Sequence, residues 1–313
     1  MIGNVMKQKN STESALDWLS RLDAQGYETM LERITRTDKP VVVGFLNQHA
    51  YNLIEQRPAI KENFRAIDYL LRDGIGIKMA CKANGLVPGL NLNGTDFIPA
   101  LVTRLRQGAS QPQFFAFGTQ QPWLSNGAAA LTGASDVVVL DGFREPKAYV
   151  ELFQATCAGT GLAVIVLAMG MPKQEEVAQK LKAAITGPAI IVCGGAILDF
   201  ASGRVERAPA LMRRTGTEWL YRLCKEPARL FQRYVIGIPL FFVYVLRNLM
   251  KQARHQASSG TRDSHATPAS EPDVLSREQA DAGLRLLHNT ETVEAQTQVG
   301  NKLGSTKDAR RRA

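Results

Sequence analysis

From Val41 onward the chain alternates short, uninterrupted apolar runs with stretches in which apolar residues recur at helical spacing. The runs are VVVGFL (41–46), FFAFG (114–118), DVVVL (136–140), LAVIVLAMG (162–170) and AIIVC (189–193). Strands that are apolar on both faces and alternate with helices predict an α/β fold, a parallel sheet covered by helices on each side. In such sheets ligands bind at the carboxyl ends of the strands. Three of those ends carry small or turn residues before a helix: Gly118-Thr119, Gly170-Met171-Pro172 and Cys193-Gly194-Gly195.

The pattern also divides the chain. Residues 1–38 are a polar lead-in with one amphipathic stretch around Ala15 to Ile34, and 39–203 form the α/β core. Residues 204–254 begin arginine-rich and end apolar, and from 255 to 313 few large apolar groups remain. That tail buries too little to offset its ordering entropy and is expected to be disordered. Within the third segment, VIGIPLFFVYVLRNL (235–249) is apolar all round. As a fifteen-residue helix it would be roughly 22 Å long, short of the ~30 Å hydrocarbon core of a bilayer. It reads either as a buried core helix or as a helix lying on an anionic membrane surface, arginines on headgroups and aromatics in the acyl boundary.

Charge sharpens the second reading. The net charge is +9, and residues 204–254 hold eleven Lys or Arg against three Glu, a local excess of +8. An excess so concentrated marks a site or a surface. The cysteines, Cys81, Cys157, Cys193 and Cys224, form no C-x-x-C pair and read as reduced, mostly buried thiols. The first thirty residues lack the apolar core of a signal peptide, so a cytoplasmic location is expected.

Several motifs offer chemistry. Asp73-Gly74, in YLLRDGIGIKMA, reads as following a helical segment and opening the next helix. An Asp there is first an N-cap, and alternatively a general base. Asn91, Asn93, Thr95 and Asp96 precede and open another helix; cap and turn chemistry accounts for Asn93, Thr95 and Asp96, and such groups also read sugar hydroxyls. Gln174 is the residue of PKQE with a ligand role open to it, while Gly194-Gly195 lets a ligand approach the backbone. The arginines that follow, including Arg207, Arg222, Arg229 and Arg233, suit a diphosphate. Neither a D-x-D triplet nor metal-ligand spacing occurs, and His49, the only histidine before the tail, has no triad partners nearby. The glycine stretches fail the dinucleotide fingerprint, which argues against a nicotinamide oxidoreductase. A basic segment that leads into an apolar one favours lipid over nucleic acid, the rival being a non-catalytic basic module.

These elements stand in a known order. D-G-x-G at Asp73, G-x-D at Gly94, G-x-P-x-Q-E at Gly170, G-G-x-x-D-F-x-x-G-x-x-x-R-A-P from Gly194 to Pro209 and E-W-x-x-R-L-x-x-E-P-x-R from Glu218 to Arg229 resemble the WecG/TagA/CpsF glycosyltransferases (glycosyltransferase family 26). The resemblance covers about Val41 to Leu249. It implies a Rossmann-like core and a metal-independent, inverting transferase without cofactor. A sugar would pass from a UDP-sugar to a sugar carried on polyprenyl diphosphate, at the cytoplasmic face of the inner membrane. It also implies that Asp73 is the catalytic base and that Arg222, Arg229 and Arg233 of a carboxy-terminal appendage complete the site. The chain departs from the family pattern at three places. Phe45 stands where a threonine is usual, leaving Asn47 as the polar group; Asn91 replaces an arginine; and Gln232 stands three after Arg229. The L-N-L-N-G-T-D-F form is similar to the exopolysaccharide branch, including the xanthan-type β-1,4-glucosyltransferase. Glucose is therefore the preferred donor sugar, with N-acetylmannosamine or its uronic acid as the alternative. No nucleic acid partner is expected, and apolar helix surfaces would support a homo-oligomer.

Overall fold

The computed structural model describes residues 13–108, 111–157, 159 and 161–260. The expected disordered tail lies outside the described residues from 261 on. The described residues up to Ala257 belong to one compact unit.

Six parallel strands form one sheet in the order β2-β1-β6-β5-β3-β4. They are β1 (Pro40–Leu46), β2 (Tyr69–Arg72), β3 (Gln113–Gly118), β4 (Val138–Leu140), β5 (Ala163–Ala168) and β6 (Ala189–Cys193). Five follow the apolar runs of the sequence. The sixth, β2, corrects the expectation that Asp73 follows a helix: YLLR pairs with β1, Leu71 beside Phe45 and Arg72 beside Leu46. Four residues with a charge at the end are too few to show a strand's pattern, and their burial depends on a neighbour that sequence does not reveal.

The helices are α1 (Ala24–Thr35), α2 (Gln48–Gln56), α3 (Pro58–Arg65), α4 (Ile75–Ala83), α5 (Gly94–Arg106), α6 (Trp123–Thr132), α7 (Pro146–Thr156), α8 (Lys173–Ala184), α9 (Ile197–Ala201), α10 (Ala210–Thr215), α11 (Glu218–Lys225), α12 (Pro227–Phe231) and α13 (Gly237–Gly260). A π-helical turn, Gln232–Ile236, joins the last two. Alternate residues of each strand face opposite cores. Val42, Leu46, Ile165, Leu167 and Ile191 pack with Tyr51 of α2, Phe64 of α3, Phe153 of α7 and Leu181 of α8. Val41, Val43, Phe45, Val164, Val166 and Val192 pack with Leu31 of α1, Phe97 and Leu101 of α5, Leu124 of α6 and Leu198 of α9. The lead-in is thus part of the fold from residue 13: Leu16, Leu19, Met30, Leu31 and Ile34 are buried, and Ser20 N donates to Leu70 O at 2.8 Å. Each fully buried aliphatic side chain is worth about 1.5–3 kcal/mol, so both layers contribute to holding the sheet.

The apolar segment after the arginines differs from the fifteen residues read from sequence. Helix runs without a break through Pro227–Arg254, 28 residues that are long and apolar enough to cross a membrane by length and composition. One face is nevertheless seated on the core. Phe241 and Val245 are buried, Phe241 meets Tyr51 edge-on at 5.2 Å, and Arg247 pairs with Glu55 at 2.6 Å. Asn248 donates to Tyr51 Oη and to Glu55, and Asn52 donates to Gly237 O at 2.7 Å. The opposite face leaves Val235, Ile236, Phe242, Val243, Leu246 and Met250 exposed. The core-helix reading therefore holds for one face, while the other face is apolar and exposed.

Candidate active site

Because the strands are parallel and in register, their carboxyl ends lie along one edge, and the chain turns there six times. Asp73 sits at the end of β2, its N–H donating to Leu46 O of β1 at 2.9 Å. It is not the N-cap that sequence suggests: Gly74 holds that position at φ +92, and no side chain caps α4. The carboxylate is free for other work and is held from the next strand. Asn47 caps α2 by accepting from the N–H groups of His49 and Ala50, and its Nδ2 donates to Asp73 Oδ2 at 3.1 Å. From the other side Asn91 Oδ1 accepts from Gly74 N at 2.8 Å and from Arg72 Nη1 at 3.3 Å. Arg72 is buried and donates to the carbonyls of Gly74, Gly89 and Leu90, which locks the turn beneath Asp73. Some of the Asp73 surface stays open to the cleft, but protein surrounds the rest. Desolvation raises its pKa above the ordinary carboxylate value, opposed by the Asn47 hydrogen bond and the charges of Arg233, Arg222 and Arg72.

The other strand ends build the opposite wall. Gly118 closes β3 where a Cβ would overlap the Ala168 carbonyl. Thr119 follows at φ 35, an uncommon conformation for a β-branched residue. Its Oγ1 donates to Asp199 Oδ1 at 2.7 Å and accepts from Arg204 Nη1 at 3.1 Å. Gly170, at φ +81, turns β5 into α8. Gln174 is buried, and both ends of its amide are engaged within the protein. Its Oε1 accepts from Gly195 N at 2.9 Å and its Nε2 donates to Glu175 Oε1 at 2.8 Å. It lines the cleft and at the same time holds the Gly194-Gly195 turn. Glu175 is fully buried with Oε2 unpartnered, and desolvation pushes it up to about 7. Asn93 caps α5, accepting from Asp96 N and donating to Asp96 Oδ2 at 2.7 Å. Asp96 in turn accepts from Arg207 Nη1 at 2.7 Å.

The arginines divide by partner. Arg204 pairs with Asp199, Arg207 with Asp96 and Arg229 with Glu226. Arg222 and Arg233 form no ion pair with a described carboxylate, and the Nε of each is buried without a partner. Arg222 lies over the Phe200 ring at 5.5 Å, and Arg233 leaves the π turn over Tyr234 at 5.6 Å. Burial lowers the pKa of Arg233, although the group remains a cation at any working pH. Arg222 and Arg233 both act on the carboxylate of Asp73, Arg233 from a desolvated position, and Arg222 also acts on Glu226. Charge left unbalanced in a cleft is how a protein holds an anionic ligand.

All these elements line one cleft of about 1450 Å³. It takes in Asn47, Asp73, Asn91, Asn93, Thr95, Asp96, Gly170, Gln174, Gly194, Gly195, Arg207, Arg222, Arg229 and Arg233. Gly118 is not brought to its surface; the neighbouring Thr119 is. The cleft also holds Arg72, which sequence reasoning passed over, and Thr119, Asp199, Arg204 and His49, which it did not assign to the site. Arg72 and Thr119 stand directly at strand ends, which is the signal that would have found them. Burial, with Arg233 nearby, lowers the His49 pKa to about 4, so its imidazole is neutral at working pH. The family model of the glycosyl transferase WecG/TagA/CpsF family matches residues 17–255, which include every strand and every residue of this cleft. With its parallel sheet, its Asp73 and its two unpaired arginines inside that match, the chain belongs to the WecG/TagA/CpsF family of glycosyltransferases.

Proposed function

We propose that the protein is an inverting, metal-independent hexosyltransferase. The family implies a UDP-sugar donor and a lipid-linked acceptor. In our reading the donor is UDP-glucose and the acceptor a sugar on polyprenyl diphosphate, within exopolysaccharide synthesis. Asp73 takes the proton of the acceptor hydroxyl, whose oxygen attacks the anomeric carbon opposite the leaving group. The bond from that carbon to the UDP oxygen breaks, and Arg222 and Arg233 receive the growing charge on the diphosphate. Such preplaced donors are worth about 10²–10³ in kcat each. Arg229 is held by Glu226 at 2.6 Å and positions the end of this wall.

The observation that carries the reading is the convergence of the desolvated carboxylate of Asp73 with Arg222 and Arg233, which form no ion pair with a described carboxylate, at the carboxyl edge of a parallel sheet. The arginines offer the diphosphate the positive charge that a bridging cation supplies elsewhere, which supports metal independence. Among the described residues no three of His, Cys, Asp and Glu converge. Glucose rests on the L-N-L-N-G-T-D-F sequence, of which Asn91, Asn93, Thr95 and Asp96 line the cleft. The exposed apolar face of α13, with Arg247, Lys251 and Arg254 along the same helix, supports peripheral attachment to an anionic cytoplasmic leaflet.

The test is transfer of labelled sugar to glucosyl-diphosphate-polyprenyl in detergent with EDTA, across UDP-glucose, UDP-N-acetylmannosamine and its uronic acid. Product from UDP-glucose alone is expected. Product from another donor would replace the glucose assignment, and a requirement for added divalent cation would overturn metal independence.

A further inference from the structure

The cleft is polar at Asp73 and the arginines, but another part of its lining is apolar. Ile75 and Met79, one helical turn apart on α4, line it with 46% and 48% of their surface exposed. Facing into the same cleft from α13 are Ile238 and Phe242, also one turn apart. The two helices touch: a Cβ on Gly76 would lie 3.6 Å from Phe241 Cε1. Ile75 is flanked on its other side by the Gly216 turn, where a Cβ would meet it at 3.3 Å. Beyond the cleft the same four-residue spacing continues along α13 through Leu246 and Met250, exposed by 58% and 47%. From Ile238 to Met250 the stripe is roughly 18 Å long at 1.5 Å per residue.

Exposed apolar side chains inside a cleft are costly unless covered, and these begin beside two unpaired cations. A ligand complementary to both is an amphiphile with an anionic head and an apolar chain. A bilayer could cover the outer face of α13, but the α4 residues face inward and need an occupant of their own. We infer that Ile75, Met79, Ile238 and Phe242 form a lane for the isoprenoid chain of the acceptor, which leaves the cleft between α4 and α13 and follows Leu246 and Met250 outward. This rests on the reading of the acceptor as a polyprenyl diphosphate. The lane sets the acceptor's lipid specificity and holds its head against Asp73.

The experiment uses the full chain in detergent with a benzophenone-tailed isoprenyl diphosphate, which carries no sugar and so is independent of the sugar assignment. Photolabelling is mapped by mass spectrometry, and UDP binding is measured separately by calorimetry. Labelling of the peptides that contain Met79 and Phe242 is expected, displaced by undecaprenyl diphosphate. Met79→Glu, a change at a half-exposed helix position, should weaken probe binding about tenfold or more while UDP affinity stays within about twofold. Labelling confined to Leu246 and Met250 and indifferent to Met79→Glu would overturn the lane and leave only a membrane-facing helix. If Phe242→Glu turned an oligomer into monomers in sedimentation while labelling persisted unchanged, the face would be an interface between copies and the inference would fall. A native chain that takes the probe in the lane yet binds no UDP would instead count against the transferase reading.

Discussion

In the proposed reaction Asp73 is the base, and Asn47 decides where its carboxylate points and how strongly it holds a proton. Asn47 stabilises the charged form through its 3.1 Å hydrogen bond, so Asn47→Ala should raise the Asp73 pKa further. The expected result is a pH–rate profile whose acidic limb moves upward, with kcat reduced about tenfold at neutral pH, since a charge-assisted bond is worth about 1.5–3 kcal/mol. His49 titrates at about 4 and is neutral above that, so it should not set the limb; His49→Gln that abolished it would reassign the base. Glu175 makes a separate prediction about stability. Its folded pKa of about 7 lies above the 4.5 of the model compound, so between those values the folded state binds the extra proton. Its contribution is present below pH 4.5 and is lost as pH rises through about 7. Thermal melts should therefore show Tm falling from pH 5 to pH 8 in the native chain, by at most about 3 kcal/mol of stability, and a flatter profile in Glu175→Gln. A native Tm that rose over that range would contradict the burial argument. At this scale motif order named Asp73, Arg222 and Arg233, and the fold brings all three to one cleft. The internal partners of Gln174 were not legible, because the Gly195 N–H reaches it only across the fold.

The π turn Gln232–Ile236 is the element on which the arginine geometry depends. It inserts one residue into an otherwise α-helical run, and thereby sets the rotation of Arg222 and Arg229 relative to Arg233. Deletion of Gln232 should restore regular helix and rotate the preceding helices by about 100° relative to α13. The expected outcome is unchanged helix content by circular dichroism with kcat down by 10² or more; full activity would show that the convergence of Arg222 and Arg233 is not needed. Elements were legible where pattern is strong. Long apolar runs gave β1, β3, β4, β5 and β6, while β2 escaped because YLLR is short and ends in a buried arginine held by carbonyls. The apolar helix was underestimated in length because its flanks, PARLFQRY and MKQAR, are more polar, although they continue the same helix.

For the whole molecule, the carboxy-terminal helices close the cleft over a sheet that is otherwise complete. Removing residues from Arg204 onward should leave the six strands paired but inactive. It would also uncover the surface that Leu230, Tyr234, Phe241 and Val245 bury. Each such side chain is worth about 1.5–3 kcal/mol, so the truncated chain should melt clearly earlier and lose from its far-ultraviolet spectrum only the helical signal of the removed segment. Vesicle flotation should retain the native chain on anionic liposomes and release a Phe242→Glu, Leu246→Glu double variant; equal retention would remove α13 as the attachment. Fold class was legible because binary pattern alone decides it. The cleft's apolar lining was not, because it joins residues about 160 positions apart, and only packing brings α4 to α13.

The claim on which the rest depends is that Asp73 activates the acceptor while the arginines hold the diphosphate. Its most direct measurement compares native chain with Asp73→Asn in sugar transfer from UDP-glucose to glucosyl-diphosphate-polyprenyl with EDTA present, with UDP affinity recorded for both. Asparagine keeps the size of the side chain and a partner for Asn47, so the account predicts unchanged UDP binding and a fall in kcat of about 10³ or more. Turnover by Asp73→Asn at the native rate would contradict it.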